Sequence, residues 1–364
     1  MQIIELFKFL IESKSETPDD GGILDFVEKY LEGFTALHVN KNEVKNLFIY
    51  KKFGEGKHLC FAGHVDVVPA GNSWETNPYE AVEKDGYIYG RGAQDMKSGV
   101  AAFLQAVKET KEFDGTLSLL LTSDEEGPAK YGTQEVLKML QEKNLLPDSC
   151  VVAEPTCEDI FGDAIKVGRR GSINGLIKIQ GKQGHAAYPQ KAINPIHQIA
   201  QVLEKIAGVD LDNGDEFFAP SKFVITDIRA GMQVTNVTPN SLEMMFNVRN
   251  STKTTVKEIE AFVHEHFAAM DYTLSLDQSA FPFVTSSDTK IVRDIDEVIT
   301  QVTGIKTKYS TAGGTSDARF IAPYGVEVIE FGVKNDTIHS VNERTTAREV
   351  EDLYKIFKRL IEIY

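Results

Sequence analysis

No apolar run in this 364-residue chain approaches the roughly 18–20 residues that a bilayer-spanning helix needs. A cationic surplus is missing as well. Against 54 Asp and Glu stand 39 Lys and Arg, for a formal net charge of −15 and a pI near 5.1. Phosphate binding needs clustered cations whose counterion release supplies the affinity, so nucleic acid is excluded as a partner, and no membrane partner is expected. Cysteine is scarce: Cys60, Cys150 and Cys157 are an odd number in a chain large enough to build a core without staples. They read as small buried hydrophobes, with a metal role for Cys157 as the minor alternative. The first residues, Met1 to Leu10, carry Glu5 and Lys8 inside their apolar pattern and show neither a basic leader nor a small-residue cleavage site. A cytoplasmic protein is the expectation. No internal repeat or low-complexity tract interrupts the chain.

What is present is ordinary for a folded protein: 42% hydrophobic and 26% charged residues. The length exceeds the roughly 100–200 residues of one domain, so two cores are expected. Helical periodicity over Ile3 to Ile11 and Gly21 to Leu31 gives way to short apolar runs. Leu47 to Tyr50, His58 to Ala62, Leu117 to Thr122 and Ser149 to Ala153 read as buried strands, with helices over Ser98 to Lys108 and Thr133 to Gln141. Such alternation predicts an α/β layer with a mostly parallel sheet. After Arg170 the order becomes strand, helix, strand, strand, helix, strand: Ile173 to Gln180, Asn194 to Ile206, Phe223 to Arg229, Leu242 to Arg249, Val256 to Phe267 and Tyr272 to Leu276. That is the split βαβ order of a ferredoxin-like domain. From Ser287 the α/β alternation resumes with a helix to Val302, a strand near Lys306, a helix after Gly314, the strand Val326 to Phe331 and a helix from Ala347. The expected fold class is α/β. A three-layer catalytic domain, 1–170 and 284–364, is interrupted by an inserted ferredoxin-like (βαββαβ) domain, 171–283.

The chemically informative residues follow predicted strand ends, where open α/β sheets place their ligands. His64 and Asp66 lie two apart, so their side chains leave an extended segment on the same side. An imidazole is a good metal ligand, and a neighbouring carboxylate can accept its second ring proton. Taken alone, a satisfied structural histidine explains the pair as well. Asp95 sits where a glycine-rich turn enters a helix and has the competing reading of an N-cap. Three adjacent acids, Asp124, Glu125 and Glu126, repel one another unless cations or protons compensate, which favours a functional reading. Glu154 follows a further strand, and His339 follows the late one. Together they make a nitrogen and oxygen ligand set suited to paired zinc, manganese or cobalt.

The segments Gly63-His64-Val65-Asp66-Val67-Val68-Pro69, Gly90-Arg91-Gly92-Ala93-Gln94-Asp95-Met96-Lys97, Thr122-Ser123-Asp124-Glu125-Glu126-Gly127-Pro128-Ala129 and Ala153-Glu154-Pro155-Thr156 resemble the M20 metallopeptidase family, and the resemblance covers essentially the whole chain. It implies two Zn2+ per subunit, with Co2+ or Mn2+ able to substitute. His64 and Glu154 would hold one, Glu126 and His339 the other, and Asp95 would bridge. It also implies Asp66 as the partner of His64, Glu125 as general base, and a cis peptide between Asp95 and Met96. The inserted domain would form a homodimer, and His185 in Gln183-Gly184-His185-Ala186 would reach the neighbouring subunit's site to stabilise the oxyanion.

Within the family, Val167-Gly168-Arg169-Arg170-Gly171-Ser172 and Gly313-Gly314-Thr315-Ser316-Asp317 point to hydrolysis of a small succinylated amino acid, N-succinyl-LL-2,6-diaminopimelate. Arg169, Tyr188, Asn236 and Arg249, with Gly314, Thr315 and Ser316, would grip this small-molecule substrate. The arginines and the amides of a helix starting at Gly314 suit its carboxylates. Other acyl-amino-acid deacylases and dipeptidases share the metal site and differ in that grip. A non-catalytic binding protein on the same fold should have lost a ligand or the base, and here none is lost.

Overall fold

In the computed structural model, which describes Met1–Tyr364, contiguous apolar runs form strands covered on both faces. The chain opens with helices α1 (Ile3–Glu12) and α2 (Ile23–Tyr30) and strands β1 (Thr35–His38), β2 (Asn46–Lys52) and β3 (Lys57–His64). Helix α3 (Lys97–Glu109), strand β4 (Gly115–Thr122), helix α4 (Thr133–Glu142) and strands β5 (Ser149–Val152) and β6 (Ala164–Lys166) follow. A second unit then intervenes, with β7 (Ser172–Gln180), α5 (Pro195–Ala200), α6 (Leu203–Ile206), β8 (Phe223–Ala230), β9 (Ser241–Val248), α7 (Val256–Phe267) and β10 (Tyr272–Ala280). The chain ends with α8 (Lys290–Thr303), β11 (Lys308–Ser310), α9 (Ala318–Ile321), β12 (Glu327–Glu330) and α10 (Ala347–Ile363). Residues 1–168 with 284–364 form one compact unit and residues 169–283 the other. No helix is long and apolar enough to cross a membrane.

Eight strands of the first unit share one sheet, in the order β1-β2-β4-β3-β5-β12-β6-β11. Its middle, β4, β3, β5 and β12, is parallel, while β1 and β2 run antiparallel at one edge. Parallel strands need cover on both faces, and β3 is accordingly buried from Leu59 to His64 and β4 from Leu117 to Thr122. Helix α3, buried from Lys97 to Val107, packs with α1 and α10. Gly99 makes this possible: a Cβ there would stand 2.3 Å from the Ala153 carbonyl oxygen, so only glycine admits the helix this close to the end of β5. The register pairs His64 with Thr122, Ala62 with Val152, and Glu330 with Val152. Four strand ends therefore share one edge.

The second unit is an antiparallel sheet in the order β8-β9-β7-β10. Its strands alternate. Ile173, Ile177, Met244 and Phe246 face a core completed by Ile199, Ile206, Ile259, Val263 and Phe267 from α5, α6 and α7. Val224 and Ile228 on β8 and Met245 on β9 are exposed.

Three local expectations change. The helix expected over Asn194 to Ile206 is two short helices parted by a turn at Gln201 and Val202. Ile199, Val202, Leu203 and Ile206 still pack on the core, so the periodicity reported the buried face and missed the turn. The helix expected after Gly314 starts only at Ala318 and has four residues. Gly313, at φ +104°, holds the preceding stretch in a turn. The last strand of the second unit runs to Ala280 rather than stopping at Leu276. All three cysteines are free and buried, and Cys157 is engaged, its Sγ accepting the Gly162 N–H at 3.1 Å and lying 3.2 Å from the Gly332 carbonyl.

His58, near the start of β3, lies 2.7 Å through Nε2 from the Ser118 hydroxyl of β4. Burial pushes its pKa down to about 4, against the opposing charge of Asp148. An unfolded imidazole titrates near 6.5. Between those values the unfolded chain binds a proton that the native chain refuses, so stability rises with pH there and is lost on acidification. Going from pH 7 to pH 5 should remove about 2 kcal/mol of unfolding free energy through this group. His58→Gln should flatten that part of the slope. Parallel pH dependence of urea midpoints in the two proteins would reject the assignment.

Candidate active site

The shared edge of β3, β4, β5 and β12 carries two histidines and a crowd of acids. His64 closes β3, with its Nε2 3.0 Å from Asp95 Oδ1, 3.8 Å from Glu154 Oε1 and 4.0 Å from Glu125 Oε2. His339 Nε2 stands 3.3 Å from Asp95 Oδ2 and 3.0 Å from Glu126 Oε1. Asp95 thus turns one oxygen to each histidine. Ligands held tetrahedrally at zinc-like distances stand roughly 3.3 Å apart, and the 3.0 to 3.8 Å separations among the imidazole nitrogens, Asp95, Glu126 and Glu154 bracket that value. Ligand atoms of His64, Asp95 and Glu126 lie within 4.8 Å of one another. The donors, imidazole nitrogen and carboxylate oxygen, can hold zinc, cobalt or manganese.

Charge in this cluster is strongly coupled. Burial raises Glu125 to about 8, opposed by His64 and reinforced by Asp317 and Asp95. Burial also raises Glu154 well above the carboxylate range, with Asp95 adding to it. Asp95 goes the other way: hydrogen bonds from His339 and His64 overcome its burial and hold it low. His64 is buried, which opposes its charge, yet the bond and charge of Asp95 keep it well above the usual imidazole value. Hydrogen bonds to Asp95 and Glu126 raise His339 to about 10. The acids around them favour the charged form of both imidazoles, and a divalent cation bound here would displace protons from its ligands.

Asp66 departs from its expected contact. The Nδ1 of His64 lies 2.7 Å from the Asp66 backbone carbonyl, whereas the Asp66 carboxylate is 3.8 Å away. That carboxylate instead accepts the backbone N–H groups of Glu125 at 3.4 Å and Glu126 at 3.1 Å. Asp66 therefore orients His64 through its main chain and fixes the turn carrying Glu125 through its side chain. Asp95 is no N-cap, since Met96 occupies that position without a side-chain cap. The Asp95–Met96 peptide is cis.

The other predicted residues fall into two groups. In the second unit His185, Tyr188, Asn236 and Arg249 are exposed. His185 and Tyr188 rings lie 5.8 Å apart, and the Asn236 carbonyl accepts the Ala186 N–H at 2.9 Å. The Ala187 N–H donates to His185 Nδ1 at 3.0 Å, so the neutral ring carries its proton on Nε2. Arg169 is buried. In the first unit Gly314 is open to solvent, and the Thr315 hydroxyl accepts from Arg319 at 2.5 Å. Ser316 is buried, and its hydroxyl donates to Glu330 Oε1 at 2.6 Å. The four-residue α9 supplies no helix start at Gly314. The sequence reading passed over Arg91, Gln94 and Glu343, which tie the Asp95 and His339 loops together. Glu343 stands in a polar loop and carries no local signal.

Residues 60–363 match the model of peptidase family M20/M25/M40. The chain is 68% identical over 364 residues to succinyl-diaminopimelate desuccinylase of Sulfurimonas denitrificans, covering 100% of both chains. Among solved structures, an aminopeptidase from Bacillus cereus shares the fold with a TM-score of 0.80 at 20% identity, over 99% of this chain and 97% of that one. A Bacillus subtilis protein described as a dinuclear metal-binding peptidase has a TM-score of 0.71 at 15% identity, over 99% and 96%.

If Asp95 serves two cation positions and His339 one, zinc titration distinguishes them. Asp95→Ala should lower the occupancy of both, and His339→Ala only one. Loss of a single equivalent in Asp95→Ala, measured by elemental analysis after dialysis, would contradict the shared carboxylate.

Proposed function

The chain belongs to peptidase family M20/M25/M40, and from that premise we propose that it hydrolyses the amide of N-succinyl-LL-2,6-diaminopimelate, releasing succinate and LL-2,6-diaminopimelate for lysine and cell-wall precursor synthesis. It is a metal-dependent hydrolase. One observation carries the reading: Asp95 stands between His64 and His339, with Glu154 and Glu126 outside and Glu125 beside them. The cofactors are two zinc ions per subunit, replaceable by cobalt or manganese. His64 and Glu154 would hold one, Glu126 and His339 the other, and Asp95 would serve both.

Such a cation pair supplies a water acidic enough to attack at neutral pH and a polarised amide carbonyl. Glu125 takes the proton of that water and returns it to the leaving nitrogen. Its backbone N–H is held by Asp66, which keeps the base beside the ligands rather than among them. His185, with its proton on Nε2, donates to the carbonyl oxygen as negative charge develops there. Arg169 and Arg249 match the substrate carboxylates, with Tyr188, Asn236, Gly314, Thr315 and Ser316 completing the grip.

Residues 1–170 and 284–364 are the catalytic domain in this reading, and 171–283 a ferredoxin-like dimerisation domain. The strand order β8-β9-β7-β10 supports the latter. The exposed Val224, Ile228 and Met245 beside the edge strand β8 support a homodimer that covers them. His185 of the partner subunit then completes each site. The enzyme is placed in the cytoplasm, with its soluble substrate.

The decisive assay is turnover of N-succinyl-LL-2,6-diaminopimelate by metal-stripped protein reconstituted with zinc, with acetylornithine and dipeptides in parallel. Preference for either alternative overturns the substrate assignment. Glu125→Gln should keep wild-type zinc content while losing about 10²–10⁴-fold in rate. Near-normal turnover, or loss of one zinc, refutes its role as base.

The shared site has its own test. Glu125→Gln and His185→Ala proteins are each expected to be nearly inactive. After subunit exchange about half the dimers are mixed, and each mixed dimer holds one site with both groups intact. Activity should therefore rise toward roughly a quarter of wild type. If His185 serves its own subunit, every site keeps one defect and verified exchange restores nothing.

A further inference from the structure

Glu343 is fully buried four residues beyond His339, and its two carboxylate oxygens meet four donors. Oε1 accepts the backbone N–H groups of Gln94 at 2.8 Å and Asp95 at 3.0 Å. Oε2 accepts Arg91 Nη1 at 2.7 Å and the Gly92 N–H at 3.0 Å. Three amides of one turn thus converge on a single anion, as successive N–H groups of a concave backbone do. Arg91, also buried, extends the connection. Its Nη2 reaches the carbonyl oxygens of Ala70 at 3.4 Å and His339 at 3.5 Å, and its guanidinium lies 5.2 Å from the Trp74 ring centroid. Gln94 adds a second tie, donating to Asp336 Oδ1 at 2.6 Å and accepting the Thr337 N–H at 2.8 Å.

A buried ion pair is by itself weak evidence for stability, because apolar residues of similar volume often serve as well. The informative feature is where the acceptor capacity goes: three of its four bonds hold the backbone of the turn that ends in Asp95. We infer that Glu343 is a positioning residue of the two-cation site, fixing through the Asp95 main chain where that carboxylate stands between His64 and His339. It rests on the two-cation reading above and requires no contact with substrate. Only an ionised carboxylate accepts on both sides. A glutamine at 343 would turn an NH2 group either toward Arg91 and Gly92 or toward Gln94 and Asp95, donor against donor. An aspartate would keep the charge facing Arg91 but fall one methylene short of the full set.

The test compares wild type, Glu343→Gln and Glu343→Asp. Zinc affinity is measured by chelator competition, the site geometry by the visible spectrum of the cobalt-loaded protein, and kcat and KM on N-succinyl-LL-2,6-diaminopimelate. Both variants should bind zinc about 10–100-fold more weakly, the range for a lost partner of a ligand. The cobalt spectrum should change, and kcat should fall at saturating zinc while KM holds. Because Glu343→Asp keeps the buried charge pair, it decides the matter if Glu343→Gln does not fold. Wild-type zinc affinity and cobalt spectrum in Glu343→Asp overturn the inference, even if its melting temperature drops, since that is a purely structural role. Failure of the two-cation reading shows separately, in a wild-type protein that binds fewer than two zinc ions or leaves the substrate intact.

Discussion

Like charges crowded at a buried sheet edge are the constraint from which the rest of this structure follows. Asp66, Asp95, Glu125, Glu126, Glu154, Asp317 and Glu330 gather where β3, β4, β5 and β12 end, and carboxylates in such a place raise one another's pKa unless donors or cations compensate. Six of them fall into two sets, with Glu125 beside the second. Asp66 takes the Glu125 and Glu126 amides, Asp317 the Thr133 hydroxyl at 2.6 Å, and Glu330 the Ser316 hydroxyl. Those acids are committed to holding the scaffold. Asp95, Glu126 and Glu154 instead face the two imidazoles. Of the committed acids, Asp66 also holds the main chain of the second set, at the Glu126 amide.

How much of this was legible in the sequence depends on the range of the interaction. Short, mostly apolar runs such as Leu117 to Leu121, bounded by turn signals, read as strands covered on both faces, so the parallel core and its acid-bearing ends were readable. His64, Asp95, Glu125, Glu126, Glu154 and His339 stand out as candidates because each comes after such a run or in a glycine-rich turn. Contacts between distant segments were not readable. Glu343 meets the Asp95 amide across 248 positions and Ser316 turns inward to Glu330. Neither leaves a local pattern, because a buried hydrogen bond does not require the periodicity that burial of a helix face requires. Asp66 shows a subtler limit: spacing placed it beside His64, but whether the imidazole met its carbonyl or its carboxylate depended on the amides of Glu125 and Glu126 arriving from another strand.

The second unit follows a different rule. Its strands alternate buried and exposed residues because helices cover only one face of the sheet. The period survives even where the helix over residues 194–206 breaks, since burial selects positions and tolerates a local turn. Its exposed His185 is held by the Ala187 amide in the tautomer that donates from Nε2, so a group with no deep burial still has a defined hydrogen-bonding role.

Chain order then bears on how the site is acquired. Strand β12 sits between β5 and β6, and β11 pairs with β6, although both come after the whole inserted unit. The sheet therefore cannot close until the returning segment docks, and that segment also brings His339 and Glu343. Before it does, His64, Asp95, Glu125, Glu126 and Glu154 would be gathered with one histidine instead of two and without the anchor on the Asp95 turn. The acids would repel with little to hold them in place. Closing the sheet supplies the apolar burial, the second imidazole and the anchoring carboxylate together. Formation of the site is thus tied to completion of the unit's core, which keeps a half-built cluster of buried acids from being a stable state.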